Sequence, residues 1–258
     1  MDLPLIPWDS WQSFLLCFIR VVALFGSMPV FSGGQSPVKV RAGVAFMVAV
    51  LIFPAVKSFV PQTSLEPIPL MLLMVKETLF GVILGFIARL ILIAIQFGGT
   101  VIGYQMGFAQ ANILDPTSEQ QVPLMAQFLN VMGILVFLAV DGHHVFLRAL
   151  VRSYEVLPPG KLDFSGQTIP YVMELTGGMF VLGLKLVAPI MVVLVLSMFA
   201  LGIMSRLMPQ LNVLMLSFPI KIAMGLFLIG VGMNVIVSIL GQEFNDLTHR
   251  FLQLFQTL

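Results

Sequence analysis

One stretch limits how this chain can fold: IPLMLLMVKETLFGVILGFIARLILIAIQFGGTVIGYQMG, residues 68–107. After Pro69 it offers about 40 residues without a proline, which as a single helix would be about 60 Å long at about 1.5 Å per residue. That length is about twice the thickness of the hydrocarbon layer of a bilayer. Two interpretations are open: the pair Gly98-Gly99 breaks the helix at the bilayer edge, or one long helix is enclosed by other protein.

Glycines recur at helical spacing along this stretch. Gly81 and Gly85 are four residues apart, as are Gly99, Gly103 and Gly107, and the 14 residues from Gly85 to Gly99 make close to four turns. The glycines therefore share one helix face, on which the backbone of another helix can approach closely. We predict that Gly81, Gly85, Gly99 and Gly103 pack against neighbouring subunits.

The whole chain has the composition of a membrane protein. Hydrophobic residues make up 59% of the 258 positions and charged residues 10%, and the mean hydropathy is +1.03, whereas soluble domains are about 45–50% apolar and about 25% charged. We predict an all-α integral membrane protein with about six long apolar helical segments, some of them broken or not conventionally spanning. The apolar runs are 14–31, 42–60, 68–98, 124–141, 179–205 and 213–240.

The distribution of charge leaves the orientation of these segments open. Alternate loops hold similar numbers of lysines and arginines, so the positive-inside rule does not decide the topology. Either the topology is unusual or some segments do not span the bilayer. The N-terminus carries Asp2 and Asp9 and no basic region, so a cleaved signal peptide is not expected. A net charge of +1 without a basic cluster argues against nucleic acid or anionic lipid as the main partner.

Several charged side chains lie within or near the apolar runs, where each costs about 2.5–3.5 kcal/mol at the helix centre. One explanation is pairing within the chain or extension of the side chain towards water, with Lys76 and Glu77 partly neutralising each other locally. The other is a polar path or a contact between subunits. The residues concerned are Arg20, Lys76, Glu77, Arg89, Lys185 and Lys221.

Motifs of catalysis are absent from the sequence, which has no His-Glu-x-x-His, no Walker A loop, no Gly-x-Ser-x-Gly elbow and no dinucleotide fingerprint. We therefore predict no enzyme activity and no cofactor. Asp141, His143 and His144 are residue types that ligate metals, but neighbouring histidines on a helix are expected to point to different sides, and no further cluster completes a metal shell. The prediction is an interfacial turn with a satisfied histidine and no metal site.

A polar interlude follows the long stretch: GFAQANILDPTSEQQVP, residues 107–123, which contains no lysine or arginine. Asp115 and Pro116 are typical of a helix start, with Asp as N-cap and Pro at the first helical position. Irregular backbone at membrane depth is tolerated only where protein or a cavity surrounds it. The loop is therefore either a short turn outside the membrane, or its uncharged part before Asp115 lies against a pore wall.

These residues together resemble a known family, the R-type subunit of the flagellar type III export gate, called the T-type subunit in virulence secretion systems. The resemblance spans most of the chain and depends on the order and spacing of several short motifs. They are Gly107-Phe108-Ala109, Asp115-Pro116, Ser118, Pro123, Gly142-His143, Leu157-Pro158 with Gly160, and SRLMPQLNVLMLSFPIKI at 205–222.

The resemblance implies a single R-type chain that assembles with several P-type and Q-type chains into a conical gate for unfolded flagellar substrates. It places the chain in the bacterial inner membrane at the flagellar basal body, with the B-type switch and A-type export subunits as further partners. Residues 1–178 would correspond to a P-type subunit, including the loop at 107–123, and residues 179–258 to a Q-type helical hairpin and tail. A plug that closes the channel would be formed by Gly107, Phe108, Ala109, Gln110, Ala111, Asn112, Ile113, Leu114, Asp115 and Pro116.

The polar turn of the hairpin is predicted to meet partner chains or the mouth of the pore, through Arg206, Gln210, Asn212 and Lys221. Two alternatives remain at this point. A secondary transporter also uses glycine-interrupted helices with embedded charges, although the two halves of this chain show no repeat. A virulence secretion system would use the same kind of subunit.

Overall fold

The computed structural model describes residues 8–28, 37–60, 66–108, 124–161, 166–208, 210 and 213–258. Among these residues the regular structure is entirely α-helical, so the predicted all-α fold is confirmed. The helices are α1 Trp8–Ser27, α2 Val38–Val56, α3 Pro67–Met106, α4 Leu124–Ala139, α5 Gly142–Val156, α6 Thr168–Leu207, α7 Val213–Asn245 and α8 Leu247–Thr257.

Four stretches of the described chain are long and apolar enough to cross a membrane: Val38–Val56, Pro67–Met106, Thr168–Leu207 and Met215–Thr257. The pair α4 and α5 makes a fifth if its two bent parts count as one span. α1 is a shorter apolar helix. Six predicted segments thus correspond to four or five candidate spans and one short helix, as expected if some segments are broken or do not span.

The long stretch forms one continuous helix of 40 residues, α3, which passes through Gly98-Gly99 without a break. It begins at Pro67. The N–H groups of the first helical turn have no partner within the helix, so a proline, which has no backbone N–H, costs no hydrogen bond at this position. It ends at Gly107, whose φ of 90° is a left-handed conformation that glycine adopts without steric cost. Of the two interpretations of this stretch, the single long helix is the observed one.

α6 begins 11 residues before the predicted apolar run at 179 and also has 40 residues. Pro170 lies in its first turn, where proline is tolerated, and the pair Gly177-Gly178 does not interrupt it. Hydropathy alone missed this extension because the added segment contains polar residues such as Glu174.

The chain divides into two compact units. The first comprises Met1–Leu90, Asp141–Leu175 and Asn245–Leu258, and the second comprises Ile91–Val140 and Thr176–Phe244. The predicted division into 1–178 and 179–258 is based on likeness to two other kinds of subunit and not on contacts within the chain, and it stays a prediction.

Aromatic contacts build the core of each unit. In the first unit, Phe251 of α8 packs edge-on against Phe146 of α5 at 5.3 Å between ring centroids. The buried residues of α8 recur at the spacing of one helix face, which is why so short a helix packs stably here; they are Leu247, Phe251, Leu254 and Phe255. In the second unit, Phe137 packs against Phe244 at 5.2 Å.

Candidate functional site

The most connected polar group among the described residues is a fully buried arginine in the first unit. The Nε of Arg20, on α1, donates a hydrogen bond to Oε2 of Glu77 on α3, forming an ion pair in which neither side chain has any exposed surface. Its Nη1 donates to Oγ of Ser153 at 2.9 Å and its Nη2 to the carbonyl oxygen of Leu157 at 3.1 Å. One side chain therefore ties α1 to α3 and to both the last turn and the C-cap of α5.

Aromatic rings cover the same guanidinium group. The Cζ atom of Arg20 lies 4.7 Å from the ring centroid of Phe80 and 4.1 Å from that of Tyr154, distances at which the ring quadrupole attracts a cation. The Tyr154 hydroxyl in turn donates to the carbonyl oxygen of Cys17 at 3.2 Å. We call Arg20, Glu77, Phe80, Ser153 and Tyr154 the Arg20 cluster.

The Arg20 cluster settles how two of the embedded charges are accommodated. A buried ion that loses its partner costs several kcal/mol, so Arg20 and Glu77 stabilise the unit only together. The partner of Glu77 lies 57 residues away on α1, whereas the sequence had suggested local neutralisation by Lys76. The sequence does contain a signal for this pairing. Glu77 is the only acidic residue among the six embedded charges, so any ion pair among them has to include it.

The glycine face of α3 contacts helices of the same chain. A Cβ added at Gly81 would lie 2.7 Å from the carbonyl oxygen of Arg20, and one at Gly85 would collide with Ser27, both on α1. A Cβ at Gly99 would lie 2.6 Å from Cα of Ala126 on α4. These three glycines pack α3 within the chain. Gly103 is buried, and the role predicted for all four between subunits stays a prediction.

Other glycines on spanning helices are open. A Cβ added at any of them would meet no atom within 4 Å, so they leave shallow surface on which another backbone could approach. Sequence analysis missed them because glycine spacing alone does not tell which helix face is already covered. They are Gly43 on α2, Gly177, Gly178 and Gly202 on α6, and Gly230 and Gly232 on α7.

The remaining embedded charges are less enclosed than Arg20. Arg89 on α3 and Lys185 on α6 are exposed, and Lys221 on α7 is half-buried. Among the described residues, no carboxylate lies within ion-pair distance of any of the three. The described part of the chain thus supplies none of these three cations with an ion-pair partner.

The predicted plug and hairpin turn are only partly within the described chain. Gly107 ends α3 and Phe108 follows it, both half-buried, while the plug residues from Ala109 to Pro116 lie outside the described residues. Arg206 and Gln210 are exposed at the turn after α6, and Asn212 is outside the described residues. The roles assigned to these residues stay predictions.

The turn between α4 and α5 differs from expectation. Asp141 adopts a left-handed conformation with φ 55°, and its Oδ1 lies 3.3 Å from Nδ1 of His144 and 3.9 Å from Nε2 of His143. The two imidazole rings are 4.2 Å apart between centroids. The expectation that neighbouring histidines point to different sides is wrong here, because both rings lie on the side of the Asp141 carboxylate. The side chain of Asp141 is 70% exposed, and these distances alone assign no ligand to the turn.

Fold and site together define a class: an all-α integral membrane protein with a buried arginine–glutamate ion pair. Its helices of spanning length carry open glycines, and three of their cations have no ion pair among the described residues. Within that class, the chain belongs to the family described as bacterial export proteins, family 1, whose sequence model matches residues 11–247.

Similarity to individual proteins agrees with this membership. The chain is 35% identical to the flagellar biosynthetic protein FliR of Bacillus subtilis over 240 residues, covering 92% of each chain. It is 28% identical to FliR of Escherichia coli over 242 residues, covering 93% of this chain and 92% of that protein. It is also 29% identical to the Yop proteins translocation protein T of Yersinia pestis over 223 residues, 84% of each chain. The resemblance to the R-type family and its T-type relatives is confirmed.

Proposed function

We propose that the chain is the R-type subunit of a flagellar type III export gate, a structural and gating subunit and not an enzyme. It lies in the bacterial inner membrane within the flagellar basal body and assembles with P-type and Q-type subunits, adjoined by the B-type and A-type subunits. Together they form the conduit for unfolded flagellar substrates. Family membership and the flagellar names of relatives that match over nine-tenths of the chain support this proposal.

The observation that carries the proposal is the length of α3 and α6 combined with their charges. Each has 40 residues, hence about 60 Å of helix, about twice what a bilayer requires. If the helices cross once, about 30 Å of strongly apolar helix lies outside the hydrocarbon and needs a protein covering. If more of each helix lies within the hydrocarbon, Arg89 and Lys185 are exposed to lipid, at a high cost in free energy. Partner chains would supply the covering in the first case and the counter-charges in the second, which supports the proposal.

Closure of the conduit is assigned to the loop that follows α3. Gly107 ends the helix in a left-handed conformation, and residues 107–114 carry no charge. An uncharged segment can lie in a channel at rest without requiring ion partners, and it can leave the channel for a substrate without breaking ion pairs.

The proposal is tested by isolating the chain at its natural expression level. Tagged chain is extracted in mild detergent, and the membrane proteins that co-purify are identified and quantified by mass spectrometry. We expect several other subunits in fixed proportion. A monodisperse chain that comes alone, and transports a solute in liposomes, would overturn the proposal in favour of a self-sufficient transporter.

A pair of variants makes the test specific to the embedded charges. Lys185→Glu places the opposite charge on the exposed face of α6, whereas Lys161→Glu makes the same change at an exposed site outside the spanning helices. We expect the first variant to lose its co-purifying subunits and the second to keep them. Equal recovery of partners with both variants would show that Lys185 does not contact another chain.

A further inference from the structure

Two arginines on α5 form a ridge between two apolar grooves of the first unit. Arg148 and Arg152 are four residues apart, so they are neighbours on one face of the helix. Both line a groove of about 260 Å³ between α5 and α8, with apolar residues such as Phe251 and Leu252. Both also line a groove of about 500 Å³ between α2 and α5, with residues such as Leu51. The same two arginines thus line both apolar grooves, and we call them the basic ridge.

Local carboxylates do not neutralise this ridge. Arg152 forms an ion pair with Glu155 at 3.6 Å between Nη1 and Oε2, but the two side chains are 63% and 44% exposed, and exposed pairs of this kind contribute little. Among the described residues, Arg148 has no carboxylate within ion-pair distance. Two guanidinium groups with one weakly held acid leave an excess of positive charge that favours an anionic ligand. Guanidinium is also the side-chain group best suited to binding phosphate through paired hydrogen bonds.

The wider groove opens onto a helix face that suits the hydrocarbon of a membrane. α2 is long and apolar enough to span, and only 11% of its apolar window is buried within the chain. Leu51, which lines the groove, is 77% exposed. A ligand in this groove therefore needs an apolar part continuous with the acyl layer and an anionic part at the arginines. Those are the two parts of a phospholipid.

We propose that Arg148 and Arg152 bind the phosphate of an anionic phospholipid, such as a phosphatidylglycerol, whose acyl chains lie in the two grooves beside α5. The site fixes one lipid molecule against the first unit, in the grooves that Arg148 and Arg152 line. This assignment concerns the chain's own surface and does not depend on which export system the chain serves. It is compatible with the absence of a long basic cluster, because only two arginines are needed.

The site is tested by measuring the lipid that the full chain retains. Chain extracted from membranes in mild detergent is analysed by lipid mass spectrometry, and wild type should keep anionic phospholipid in excess over its share of the extract. Arg148→Gln/Arg152→Gln should weaken binding about 30-fold, equivalent to about 2 kcal/mol at about 1.4 kcal/mol per tenfold, because each arginine near an anionic lipid contributes about half of that. The matched control, Lys39→Gln/Lys161→Gln, removes the same charge from exposed positions outside both grooves and should retain the lipid.

A second variant tests the contribution of the grooves independently of the arginine charges. Val48→Trp fills part of the wider groove, which Val48 lines, and leaves both arginines in place; we expect it to lose the bound lipid as well. Adding back phosphatidylglycerol should raise the thermal midpoint of delipidated wild type, whereas phosphatidylcholine or free glycerol phosphate should not. Equal lipid retention by wild type and the double arginine variant would overturn the proposal. The proposal would also be overturned if the double arginine variant lost a co-purifying subunit while its bound lipid stayed unchanged, since the grooves would then hold a protein.

Discussion

Removing Arg20 should destabilise the first unit more than any single substitution of an exposed charge. In Arg20→Met the carboxylate of Glu77 stays buried without its partner, and the carbonyl oxygen of Leu157 loses its donor. The Ser153 hydroxyl keeps its hydrogen bond to the carbonyl oxygen of Leu150, at 2.6 Å, so it adds little to the cost. Breaking a buried pair by removing one partner costs about 3–5 kcal/mol. We expect a loss of that size in the free energy of unfolding.

The double variant Arg20→Met/Glu77→Leu should recover most of this loss. Replacing a whole buried ion pair by apolar side chains of similar volume is often neutral or stabilising by about 1–4 kcal/mol. Here the unpaired carbonyl of Leu157 remains and costs about 1–3 kcal/mol, so the double variant should lie within about 3 kcal/mol of wild type.

Thermal unfolding of the chain in mild detergent, followed by fluorescence, measures the difference. At about 2–4 °C per kcal/mol for a chain of this size, Arg20→Met should lower the midpoint by about 6–20 °C. The control is Glu155→Gln, which breaks the exposed pair with Arg152 and should change stability by no more than about 1 kcal/mol. The reasoning is refuted if Arg20→Met unfolds like the control, or if the double variant is no more stable than the single one.

Three further predictions concern glycines, loop and hairpin turn. Gly99→Leu should lower the chain's own stability by about 1–3 kcal/mol through overpacking, whereas Gly230→Leu should leave the isolated chain stable and reduce co-purification of partners. The two variants should therefore differ in thermal unfolding and in pull-down, and equal behaviour in both assays would contradict this prediction. Shortening residues 108–114 should leave the gate assembled but leaky, which membrane conductance in intact cells measures, and a tight assembled gate would refute the plug assignment. Charge reversal at Arg206 or Lys221 should reduce export more than alanine does, and normal export by Arg206→Glu and Lys221→Glu would mean that water alone solvates them.

Some features of the site followed from sequence only in part. The continuous α3 was one of two open interpretations, because Gly98-Gly99 is compatible with a break or with a close helix contact. Close contact is what the structure shows, since a Cβ at Gly98 would lie 2.8 Å from Cγ1 of Val187. The ridge of Arg148 and Arg152 was not recognised, because two arginines become a site only when grooves flank them.

The sequence by itself determined the membrane class, the all-α fold and the family, because composition and motif order depend on which residues are present and not on where they meet. Only the tertiary structure decided that Glu77 pairs with Arg20, that the glycine face of α3 packs within the chain, and that His143 and His144 share Asp141. Each of these is a contact between groups whose interaction free energy depends on distance and burial. Residue spacing along the chain constrains which side chains share a helix face, but the partner of each face is chosen by packing between helices.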